Sequence, residues 1–98
     1  MEHLEFLIEQ MEEELDGAEH YAKLAHKHHE QHPAFAKNLH DMAMDELRHS
    51  QYISDAAHEY IKAHPEHPEF RNVWDFVKRH TAKQIGCIND MLTKFRNM

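Results

Sequence analysis

The chain has 98 residues, room for one domain with a modest core, and 41% of them are hydrophobic against 30% charged. Lys and Arg number 11 against 18 Asp and Glu, a net charge of −7 that repels phosphate backbones and argues against nucleic-acid binding. Two Gly and three Pro are too little turn material for a β-sandwich or barrel, and no apolar run is long enough to cross a membrane.

The expected class is therefore all-α, a single domain over residues 1–98. Proline divides the chain into three parts, at His32-Pro33 and at the run His64-Pro65-Glu66-His67-Pro68. The residue before a proline is pushed out of helix, and proline itself suits the first helical turn. These breaks predict a first helix over residues 2–31, a second over 33–63 and a third over 68–97. Helices of this length run roughly 45 Å.

The N-terminal run MEHLEFLIEQ is acidic and lacks the basic start of a signal peptide. Cys87 stands alone, which excludes an intrachain disulfide and a CxxC site. Both features fit a cytoplasmic location. The first helix carries a seam of Leu4, Leu7, Met11, Glu14, Ala18, Tyr21 and Ala25. Gly17 interrupts it at a helix-propensity cost of about 1 kcal/mol, which a close helix–helix approach would explain. The second helix carries Phe35, Leu39, Met42, Glu46, His49, Ile53, Ala56 and Tyr60. Steps of three and four keep such residues facing a partner helix. The third helix shows Phe70, Val73, Trp74, Val77, Thr81, Gln84, Ile88, Met91 and Phe95, a broader amphipathic face.

Glu14, Glu46 and His49 break these seams. Carboxylates are rarely taken into an apolar seam unless they are paired or hold a metal. Glu46-Leu47-Arg48-His49 is an ExxH motif, two ligand types three residues apart on one helical face. Glu14 and Glu46 lie at similar depths on either side of the Pro33 turn. Carboxylate plus imidazole is a donor set for Fe, Mn or Zn. The bland reading is a buried glutamate paired with Arg48 or a lysine.

Histidine is abundant, at 12 residues. His26, His28, His29 and His32 close the first helix, where a solvated, partly protonated face suits the helix dipole. The pair His28 and His32 could alternatively bridge a Zn, Ni or Cu ion. His20 and His40 are expected at the surface or behind the ligands, and His64 and His67 exposed at the second turn. Tyr21 either hydrogen-bonds a ligand carboxylate or fills the seam. Trp74 is expected to anchor a core or interface.

The segment ELDGAEHYAKLA, Glu14 to Ala25, resembles the first metal-binding helix of rubrerythrin-type proteins, with Tyr21 at the matching tyrosine. The segment AMDELRH, Ala43 to His49, resembles the second. Di-iron carboxylate bundles take one Glu from each of two helices and a Glu-x-x-His from each of the other two. This chain has one helix of each kind, and neither a second pair nor the cysteines of a rubredoxin domain. In layout it is similar to the encapsulated ferritins, whose short chains build the site across a two-fold dimer, although its long third helix departs from that family's pattern.

The resemblance implies a ferritin-like antiparallel hairpin plus a third helix, with a four-helix bundle completed by dimerisation. It implies a pair of iron ions per dimer, held by Glu14, Glu46 and His49 with Tyr21 behind them, where Fe(II) is oxidised to Fe(III) for storage or detoxification. Mn or Zn satisfies the same ligands. A homodimer or larger homo-oligomer follows, and association with an encapsulin-type shell is the partner the resemblance suggests. The alternatives are rubrerythrin-like peroxide reduction and a non-enzymatic helical metal-binding module.

Overall fold

The computed structural model describes residues 1–98. Its helices are α1 (Glu2–His28), α2 (Pro33–Lys62) and α3 (Glu69–Arg96), with no strand. Each expected helix is present, and each is shorter at one or both ends. The C-terminus of α1 retreats to His28, leaving His29 to Gln31 as a turn. His32 must leave the helical region before Pro33, and it does, at φ −138° and ψ 66°. Pro33 then opens α2, where its missing N–H costs nothing. Acidic Glu2 and Glu5 in the first turn of α1, with His26, Lys27 and His28 in the last, complement the helix dipole.

The helices form an elongated body of 55 × 18 × 15 Å. Packing is unequal. α1 and α2 lie together along their length, α3 packs mainly on α1, and α2 and α3 barely touch. The α1–α2 hairpin is close because its buried positions are rich in alanine: Ala18, Ala22 and Ala25 on α1, and Ala36, Ala43 and Ala57 on α2. Small side chains let helix axes approach, since interaxial distance follows the residues at the contact. Leu4, Leu7, Met11, Leu15, Leu39 and Ile61 fill the remaining volume, and Phe70, Trp74, Ile88 and Leu92 key α3 onto this layer. The Gln84 amide donates to Asp16 Oδ1 at 2.9 Å and His26 Nε2 donates to the Met91 carbonyl at 2.8 Å, which fixes α3 along α1.

Only part of the seam expected on α2 turns inward: Leu39 is buried and Ile53 and Tyr60 pack half-buried against the core. The buried stripe is Ala36, Leu39, Ala43, Ala57 and Ile61, with His40 and Ser50. Phe35 (51% exposed), Met42 (41%) and Ala56 face outward instead, with Ile53 and Tyr60 half-buried along the same edge. The two stripes are about one residue apart, a rotation of about 100° around a 3.6-residue helix. Alanine wins the interior because it permits the closer approach.

Three histidines are also placed differently from expectation. His40 is buried rather than at the surface, its ring stacked on Phe95 with centroids 4.8 Å apart. His26 is half-buried and bonded to α3 rather than solvated. His64 is half-buried, its Nδ1 donating to the Tyr60 carbonyl at 2.7 Å, and so caps the end of α2. His28 and His32 do meet, with ring centroids 5.9 Å apart, but they stand as a pair beside Phe35 with no third ligand-type side chain converging on them. Trp74 is buried, as expected of an anchor.

Candidate metal centre

Glu14 comes from the middle of α1, and Glu46 and His49 come from one turn of α2. The hairpin brings them together: one ligand-type atom from each lies within 4.8 Å of the other two. This is the only such convergence of three His, Cys, Asp or Glu side chains in the chain. It sits on the edge of the hairpin rather than in its core. Glu14 and Glu46 are half-buried, and His49 is exposed.

The electrostatics are unfavourable without a cation. Glu14 Oε2 is shielded from water and has no hydrogen-bond donor. His49 Nδ1 is 3.6 Å away, too far for a good bond, which leaves a protonated Glu46 carboxyl as the donor. Glu46 responds by holding its proton. A carboxyl–carboxylate hydrogen bond to Glu14, partial burial and the Glu14 charge, in that order, push the Glu46 carboxyl up to about 7, while His49 pulls it down. That hydrogen bond exists only while one of the two acids is protonated. With both ionised, the orphaned Glu14 oxygen and the Glu46 carboxylate face each other unpaired. A divalent cation removes the conflict, so the donor set fits one.

The structural salt-bridge reading fails on geometry. Arg48 pairs with Asp45 at 2.8 Å, not with Glu14 or Glu46, and no lysine bridges to either acid. Tyr21 is half-buried and packs against the core near His20, its ring 5.6 Å from that imidazole. In this arrangement it fills the seam.

One neighbour of the site carries no polar group. A Cβ built on Gly17 would stand 3.0 Å from Glu46 Oε2. The expected close approach at Gly17 is real, but it is made by the Glu46 side chain rather than by the backbone of α2. A glycine inside an otherwise strong helix was the visible signal.

The site lies within the partly exposed stripe. On α2 it is flanked by Phe35 and Met42 on one side and by Ile53, Ala56 and Tyr60 on the other. On α1 the matching edge offers Phe6, Tyr21 and Leu24. Comparison with protein-family models, with curated proteins and with solved structures returned no match.

Proposed function

We propose that this chain is half of a ferritin-like metal-binding bundle, that a second copy covers its open stripe, and that the shared site oxidises Fe(II). The observation that carries the reading is position. The single convergence of carboxylates and imidazole lies in a stripe whose Phe35 and Met42 are exposed and whose Ile53 and Tyr60 are only half-buried. Exposed apolar surface in a continuous row marks an interaction face. Laying a second hairpin on it buries that row and brings a second Glu14, Glu46 and His49 to the same depth. The result is the ligand set of a di-iron carboxylate bundle.

Glu14, Glu46 and His49 would hold the ions, and Glu46 would release its proton as a cation arrives. Two Fe(II) are the substrate and give two Fe(III), and the two electrons released, with two protons, reduce dioxygen to hydrogen peroxide. Carboxylates stabilise the higher charge of Fe(III), which favours oxidation over simple storage of Fe(II). The eight acids of α1 place negative potential along the helix that supplies Glu14, which draws cations toward the site. The exposed His49 gives them a way in before the partner closes over it.

The test is anaerobic loading with Fe(II) followed by exposure to oxygen, on protein purified without an affinity tag that binds metal. Oxygen uptake dependent on protein-bound iron, lost in His49→Ala, supports the reading. A protein that retains no divalent metal and stays monomeric defeats it.

A further inference from the structure

We propose that Gly17 is a positioning residue for the metal centre: its missing side chain is the space in which the Glu46 carboxylate lies beside Glu14. The inference rests on the metal-binding reading of that trio and extends it to a residue that offers no ligand atom.

Glycine in a helix interior needs a reason. Gly17 has no positive φ that would call for it, and it caps nothing, since α1 continues for eleven more residues to His28. What distinguishes it is what a side chain would meet. A Cβ there would lie 3.0 Å from Glu46 Oε2, 3.6 Å from its carboxyl carbon and 3.7 Å from its Cγ. All three contacts are to one side chain, Glu46, a member of the site. The chain's other glycine, Gly86 in α3, is the internal contrast, because a Cβ there would meet nothing within 4 Å.

The consequence of filling the space follows from which atom must yield. Glu46 Oε2 is the far end of a flexible side chain, so it gives way by a few tenths of an ångström at little cost to the fold. Metal binding is less tolerant, because ligand distances hold within about 0.2 Å. Gly17→Ala therefore separates two quantities that a merely structural glycine would move together. Stability without metal rises, because alanine is the better helix former. Metal affinity falls, because the carboxylate has been displaced.

The experiment measures Co(II) and Zn(II) affinity by chelator competition, Co(II) absorption bands as a signature of ligand geometry, and metal-free melting temperature. It compares wild type, Gly17→Ala and Gly86→Ala. Both variants should melt about 4 °C higher without metal. Only Gly17→Ala should lose affinity, by about 10- to 100-fold, with altered Co(II) bands. Because Gly17 also borders the open stripe, a cycle with Glu46→Asp separates displacement of the carboxylate from damage to an interface. Aspartate is one methylene shorter and retracts from the new Cβ, so Gly17→Ala should cost far less affinity in the Glu46→Asp background. Equal losses in both backgrounds, or unchanged affinity and bands in Gly17→Ala, overturn the positioning role while leaving the metal site intact. A wild-type protein that binds neither Co(II) nor Zn(II) overturns both.

Discussion

Replacing Glu46 with glutamine should stabilise the metal-free protein, and only at a pH where Glu46 is charged. Glutamine keeps the size, the helix propensity and most of the packing of glutamate. What it removes is the negative charge facing Glu14. Unit charges at the 4.8 Å limit that bounds this group repel by about 1 kcal/mol in a water-like medium and by about 3 kcal/mol at an effective dielectric constant near 20. The site is half-open, so the lower figure governs, and relief of about 1 kcal/mol corresponds to about 4–8 °C in melting temperature for a chain of this size. The neighbouring Glu14 pushes the folded Glu46 carboxyl from its ordinary 4.5 up to about 7, so the folded state binds more protons between those limits. Its contribution to stability is present below 4.5 and is lost as the pH rises through 7. Circular-dichroism melts of chelator-treated protein at pH 5 and pH 8 should therefore show Glu46→Gln matching wild type at pH 5 and melting higher at pH 8. Zn(II) should raise the wild-type melt at pH 8 and leave the variant unmoved. A variant that melts well below wild type at pH 8 without metal would mean Glu46 is a structural ion-pair partner, whose loss costs about 3–5 kcal/mol, and the metal reading would fail with it.

Metal affinity should weaken as the pH falls through 7, because a cation must displace the Glu46 proton; calorimetric titration with Zn(II) in buffers of different ionisation enthalpy should report the proton released. Met42→Glu puts a charge into the uncovered stripe at a side chain already 41% exposed, so it should leave the helical circular dichroism intact while shifting sedimentation from dimer to monomer. Trp74→Ala empties a buried contact between α3 and the hairpin and should cost about 3–5 kcal/mol in urea unfolding, with metal binding kept in whatever fraction remains folded, since Glu14, Glu46 and His49 all lie on α1 and α2.

The prolines at 33, 65 and 68, read with the three-and-four spacing of apolar residues, were enough to place three helices within a few residues of where they lie. Both signals are local: a ring that forbids helix before it, and a period that the backbone imposes. The trio Glu14, Glu46 and His49 was legible for a related reason. The i,i+3 spacing puts two of its members on one face, and the single short turn at Pro33 sets the depth of the third. Gly17 announced itself as a misfit, although its partner did not.

Tertiary packing decided the rest. α2 carries two stripes about one residue apart, and periodicity cannot say which turns inward. The alanine stripe faces inward, where small side chains let α1 and α2 approach closely, and the bulkier Phe35 and Met42 stay exposed on the side of Glu46 and His49. His40 is polar by composition, yet α3 closes over it and stacks Phe95 on its ring. The raised Glu46 carboxyl and the orphaned Glu14 oxygen likewise exist only because two helices meet at one depth. Sequence determined which side chains share a helical face, because that depends on the backbone alone. Which face meets which depends on how closely whole helices can pack, and only the folded chain sums those contacts.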